Sequence, residues 1–76
     1  MTCIAVVGYG YWGPNLARNI QETADAVLAA IVDHDAGRRD LAARRHPGVR
    51  VEADIDRVLR DPEIDAVAIA TPVASH

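Results

Sequence analysis

Cys3-Ile4-Ala5-Val6-Val7-Gly8-Tyr9-Gly10-Tyr11-Trp12-Gly13-Pro14-Asn15 is the stretch on which the fold turns. Residues 3–7 form a continuous apolar run, rich in β-branched side chains and closed by Gly8, which reads as a strand buried on both faces. Pro14 suits the first turn of a helix, where its missing N–H has no partner to lose. Between strand and helix lies Gly8-x-Gly10-x-x-Gly13, the G-x-G-x-x-G spacing of a dinucleotide-binding turn. Each glycine has its own physical reason. Gly8 permits a tight turn off the strand. Gly10, lacking Cβ, lets a pyrophosphate approach the backbone. Gly13 lets the helix pack closely on the strand, and the helix start then aims free N–H groups at the phosphates. A turn that needed glycine only for positive φ would use one; three at this spacing ask for more.

Working outward, residues 26–32 and 66–70 are two further apolar runs, ended by Asp33 and by Thr71-Pro72. Residues 49–53 alternate apolar and charged side chains, as expected of a strand with one wet face at a sheet margin. Helical signals lie between the runs. Leu16, Ile20 and Ala24 recur at intervals of four beside Ala17, which predicts the first helix. Residues 36–45 form an Arg-rich helix with Leu41 and Ala42 on its apolar side, stopped by Pro47-Gly48. Asp54 caps a short helix with Ile55, Val58 and Leu59 on one stripe, closed by Pro62. The order is β-α-β-α-β-α-β, an α/β chain with a parallel sheet and right-handed crossovers. The expected architecture is a partial Rossmann-type doubly wound sheet of strand order 3-2-1-4. That order puts the half-polar third strand at one edge and leaves the apolar fourth at the other, so the isolated chain is expected to be marginally stable.

The 76 residues bound the chain to one small domain. The formal charge of −3 argues against a nucleic-acid or membrane-surface partner, because phosphate binding needs clustered basic charge. All eight basic residues are arginine, with no lysine anywhere. Arg38, Arg39, Arg44 and Arg45, interleaved with Asp40, read as a solvated helix face. Cys3, the sole cysteine, reads as a small buried hydrophobe. The sequence shows no membrane-length apolar segment and no basic start with a cleavage site, so a cytoplasmic home is expected. No residue is assigned to catalysis or to a metal.

Asp33 completes the glycine pattern, 20 residues beyond Gly13 at the end of the second strand. A carboxylate there can accept hydrogen bonds from both hydroxyls of an adenosine ribose and repels a 2′-phosphate, so NAD is preferred over NADP. Capping the next helix falls to Asp35. Arg38 or Arg39 softens the preference for NAD if either reaches back to a phosphate. The three aromatics of the chain, Tyr9, Tyr11 and Trp12, all sit in the glycine loop. Their rings either flank the cofactor or pack beneath the first helix or against a further domain, while the amides of Tyr11 and Trp12 bind phosphate.

Three segments resemble the glucose–fructose oxidoreductase and inositol dehydrogenase family, Gfo/Idh/MocA. They are residues 4–15 with their Y-W-G-P-N, Ile31-Val32-Asp33, and residues 61–72 followed by His76 in a T-P-x-x-x-H. The resemblance spans the whole chain and implies an oxidoreductase that moves hydride between NAD(P) and a sugar, polyol or nucleotide-linked sugar. By that likeness Gly8, Gly10, Tyr11, Trp12 and Gly13 hold the pyrophosphate, Asp33 holds the ribose, and Thr71, Pro72 and His76 line the cleft beside the cofactor. It also implies a homo-oligomeric enzyme with a small-molecule substrate. Taken from the residues alone, Thr71-Pro72 is equally a strand terminator and His76 an exposed histidine.

The chain departs from the family in one respect: the glutamate–lysine–proline motif, whose lysine is taken as the proton-transfer residue, is not among these residues. The expectation is that residues 1–76 are the N-terminal part of a dinucleotide-binding domain, without the substrate domain and not catalytically competent alone. Two alternatives are an NAD(H)-sensing regulatory module and an S-adenosylmethionine-binding methyltransferase-type fold. The Pro-Asn helix start and the T-P-x-x-x-H speak against the latter.

Overall fold

The computed structural model describes residues 1–10 and 13–70, so Tyr11, Trp12, Thr71, Pro72 and His76 lie outside the described residues. Its elements run β1 (Thr2–Val7), α1 (Gly13–Glu22), β2 (Ala26–Val32), α2 (Ala36–Arg45), β3 (Arg50–Glu52), α3 (Ile55–Leu59) and β4 (Ala66–Ile69). The four strands form a parallel sheet in the order β3-β2-β1-β4, which is the expected doubly wound arrangement. No helix among the described residues is long and apolar enough to cross a membrane.

The sheet separates two apolar layers, and side-chain alternation decides which residue enters which. Val6, Leu28 and Ile31 join α1 (Ala17, Ile20) and α2 (Ala42) in one layer. Ala5, Ala30 and Val32 join α3 (Val58) in the other. Leu28 and Ile31 share a layer although three positions separate them, which strict alternation forbids. The pairing explains it: Ile4 faces Leu28 but Ala5 faces Ala30, so one extra residue in β2 shifts the phase. Helices on both faces are what make the sheet's interior strands apolar throughout.

Several local expectations shift. The first helix ends at Glu22, so Ala24 is an exposed turn residue and no part of the apolar stripe. Thr23 closes the helix, its hydroxyl donating to the Asn19 carbonyl at 2.8 Å and its N–H to the Ile20 carbonyl at 3.1 Å. In α3 the stripe narrows, with Val58 buried and Leu59 60% exposed, and the helix closes at Arg60 before Pro62 is reached. Cys3 is half-buried, not buried, because β1 opens at the sheet's amino end, where its N–H donates to Asp65.

The two margins differ from each other and from expectation. β3 spans Arg50–Glu52 and is half-buried along its whole length. Its charged face is not simply wet, because Arg50 lies across it, donating to Glu52 at 2.7 Å and to Asp61 at 2.5 Å. Those carboxylates hold the guanidinium protonated above its ordinary range. The Asp61 carboxyl is lowered, first by the Glu63 N–H and then by Arg50. At the opposite margin β4, among the described residues, pairs only with β1, and Ile69 is 67% exposed instead of buried on both faces.

Ile31 is fully buried at the centre of the α1/α2 layer. Ile31→Val is expected to lower unfolding stability by about 1 kcal/mol and Ile31→Ala by roughly 2–5 kcal/mol. The larger loss approaches the whole stability of so small a domain. Urea unfolding followed by circular dichroism measures both, and equal losses for the two variants would contradict close packing at this position.

Candidate functional site

Parallel strands present their carboxyl ends on one side, and the connections leaving them surround a crevice. Here Val7, Val32 and Ala70, at or just beyond three strand ends, line a cavity of about 560 Å³ with Asp33, Arg38 and Asp54. The sheet ladder runs right up to its rim. Gly8 donates to the Val32 carbonyl at 2.6 Å, Ala70 to the Val7 carbonyl at 2.8 Å and Asp33 to the Glu52 carbonyl at 3.0 Å. Gly8 then turns the chain with φ 95°, a left-handed conformation that favours glycine.

The other two glycines answer a shortage of space. A Cβ on Gly13 would overlap the Gly8 carbonyl oxygen, backbone against backbone, so the start of α1 can lie this close to the end of β1 only without one. A Cβ on Gly10 would instead stand 2.8 Å from the Arg38 guanidinium, the movable end of a flexible side chain. Gly13 is therefore required by the fold, whereas Gly10 keeps an approach open.

Asp33 is 5% exposed and is gripped by the backbone around it. Its Oδ2 accepts from the Tyr9 N–H at 2.8 Å, and its Oδ1 accepts from the Asp35 N–H at 2.9 Å. A carboxylate offers about four lone-pair positions, so roughly two are not taken by these backbone bonds, and Asp33 lines the cavity. Asp35, as expected, caps α2 by accepting from the Arg38 N–H at 2.9 Å.

The arginines of α2 part company. Arg44 pairs with Asp40 at 2.9 Å, both exposed, which is the solvated face read from the sequence. Arg39 donates to the Asp33 and His34 carbonyls at 3.0 and 2.9 Å and so belts the β2–α2 turn. Arg38 has its guanidinium 4.0 Å from Asp33 Oδ2 and lies beside Gly10 at the cavity. Of the two, Arg38 is thus the one that lines the cavity.

The Tyr9 ring is 1% exposed and packs in the α1/α2 layer, so of the two placements open for it the structure takes the one beneath the first helix. Its hydroxyl meets His46 Nε2 at 2.9 Å, and His46 Nδ1 meets Gln21 Oε1 at 3.0 Å. The two rings stand edge to face with centroids 5.6 Å apart. Sequence reasoning missed this chain and also the cavity-lining His34 and Asp54. Asp54 carried only the signal of a helix cap, and Tyr9, Gln21 and His46 come together only through the packing of α1 beside α2. Gly8, Gly10 and Asp33 line the cavity and Gly13 abuts Gly8, so the described site residues do converge.

Known proteins share this arrangement. The model of the Gfo/Idh/MocA oxidoreductase family, NAD-binding Rossmann fold, matches residues 2–76. An inositol 2-dehydrogenase of Rhodococcus jostii is 35% identical over 74 residues, covering 96% of this chain and 20% of that enzyme. An NAD-binding protein from Listeria innocua superposes with a TM-score of 0.85 at 30% identity, covering 93% of this chain and 20% of its own. A scyllo-inositol dehydrogenase from Lactobacillus casei, solved with NAD(H) and scyllo-inositol, superposes with a TM-score of 0.81 at 32% identity, covering 100% of this chain and 23% of that one. The chain therefore spans about a fifth of the length of these relatives. With its glycine turn, acidic strand end and strand order all in place, the chain belongs to the Gfo/Idh/MocA oxidoreductase family, of which it carries the NAD-binding Rossmann fold.

Proposed function

We propose that the chain is the dinucleotide-binding part of an oxidoreductase that transfers hydride between NAD and a sugar or polyol, in an enzyme that assembles as a homo-oligomer. The observation that carries the cofactor half is Asp33, a carboxylate fixed by two backbone amides at the rim of the strand-end cavity, with lone pairs still to offer. The polyol half rests on the inositol dehydrogenases among its relatives. When bound, NAD supplies the hydride chemistry, and the protein supplies binding and orientation.

The residues fit that group. Asp33 accepts from the ribose hydroxyls, Gly10 lets the pyrophosphate approach, and the first turn of α1 meets the phosphates with unpaired N–H groups. In this reading the amides of Tyr11 and Trp12 complete the phosphate contact, and Thr71, Pro72 and His76 continue the cleft toward the nicotinamide. Residues 1–76 contain no lysine. The preference for NAD follows from the like charge of Asp33 and a 2′-phosphate. Arg38 offsets part of that repulsion because its guanidinium stands beside the same carboxylate. The family match weighs against the S-adenosylmethionine alternative.

Titrating NAD into the protein while following the fluorescence of its one tryptophan tests the reading. Saturable binding is expected, weakened about tenfold or more in Asp33→Ala, which removes acceptors of ribose hydroxyls. No binding to the unaltered protein sinks the proposal. The motif glycines should separate by readout. Gly13→Ala is expected to lower the melting temperature sharply, whereas Gly10→Ala leaves it within a few degrees and still abolishes NAD binding. Arg38→Ala is expected to weaken NADP binding several-fold more than NAD binding, and equal loss of both would remove Arg38 from selectivity.

A further inference from the structure

Tyr9 occupies the variable position between the first two motif glycines, and two of its groups point at different partners. Its N–H donates to Asp33, the carboxylate assigned above to the ribose, while its hydroxyl is bonded beneath the sheet to His46, the residue that caps the end of α2. His46 is 7% exposed and is bonded at its other nitrogen to Gln21 of α1. The glycine loop is therefore anchored to both helices of its layer through one side chain.

We propose that Tyr9 is a positioning residue for the cofactor loop, and that neutral His46 is the state which holds it in place, so that NAD affinity follows the protonation of His46. This rests on the NAD-binding reading above. With His46 neutral, the Tyr9 O–H donates to Nε2 and Nδ1–H donates to Gln21 Oε1, and every group is satisfied. Once His46 takes a second proton, both ring nitrogens donate. The Tyr9 hydroxyl proton then loses its acceptor at a site 1% exposed, and a buried donor without a partner is costly. Relief comes from withdrawing the Tyr9 side chain, which also displaces the N–H that steadies Asp33.

The groups facing His46 are few. The loop presents the Tyr9 hydroxyl, α1 presents the uncharged Gln21 amide, and α2 itself brings Arg45. Burial first, and Arg45 second, keep the imidazole below its ordinary range. The binding-competent state thus binds fewer protons than the displaced one, and affinity falls as pH falls through the histidine range.

The experiment is calorimetric titration of NAD into the protein and into Tyr9→Phe, His46→Gln and Asp33→Ala, between about pH 7.5 and about pH 5.5. For the unaltered protein, affinity is expected to fall several-fold across that range. Tyr9→Phe keeps the packed ring; it should bind roughly three- to tenfold more weakly at the upper pH, the loss of one hydrogen bond, with little further change on acidification. His46→Gln should flatten the pH profile while retaining NAD binding at the upper pH. Should Tyr9→Phe fail to fold in a parallel melt, the His46→Gln profile alone decides. A pH-independent unaltered protein, or a His46→Gln variant that keeps the unaltered profile, overturns the proposal. If the unaltered protein binds NAD and Asp33→Ala weakens it, a missing pH effect counts against Tyr9 and His46 alone; if the unaltered protein does not bind, the cofactor reading itself has failed.

Discussion

The contact on which the rest depends is the meeting of Gly13 with the carbonyl of Gly8. No Cβ fits between them, so the first turn of α1 lies directly against the end of β1. Close approach at this point lets Ala17 and Ile20 reach the layer formed by Val6, Leu28 and Ile31. At the same strand end the Tyr9 N–H, next after Gly8, meets Asp33. Packing and site therefore share one steric requirement. A chain that relaxed this contact would lose the layer and the loop position together.

That coupling explains why the fold was legible from residues. Strand order follows from the alternation of apolar runs with helical periods, and the half-polar strand fell at the margin because Arg50 and Glu52 need a face with partners or water. Gly8, Gly10, Gly13 and Asp33 were legible because each answers a constraint on the backbone or on charge that few other residues can meet. Element ends were less so. Ala24 continued the helical period, yet the chain had to leave α1 to begin β2, and Thr23 supplied the stop through its own backbone bonds. Ile69 matched a doubly buried strand in composition, but burial depends on what covers a strand, and sequence pattern does not encode the cover.

The site divides along the same line. Asp33 was found because it ends the second apolar run at a fixed distance beyond the glycine turn, although its partner Tyr9 is 24 positions away. Arg38 and Arg39 were indistinguishable as neighbours in an Arg-rich helix; the hand of the helix sends one to the cavity and the other to the carbonyls of the β2–α2 turn. Their charges are equal and their roles are not. Arg39 has its Nη1 committed to two carbonyls of the turn, whereas Arg38, standing 4.0 Å from a buried carboxylate at the cavity, has donors to offer a ligand phosphate.

Tyr9 shows most clearly what sequence order hides. Grouped with Tyr11 and Trp12 it looks like one third of an aromatic cluster, yet its ring turns inward to a histidine 37 positions away. The reason is local geometry. Gly8 reverses the chain with positive φ, and the next side chain is delivered to the layer beneath α1 in place of the cavity above the strand ends. A tyrosine so buried needs a partner for its hydroxyl, which phenylalanine would not. His46 meets that need at the end of α2, where it also donates its N–H to the Ala42 carbonyl and caps the helix. One side chain thus answers the last turn of a helix and the buried hydroxyl of the glycine loop, and the two ends of the first crossover layer are tied through it.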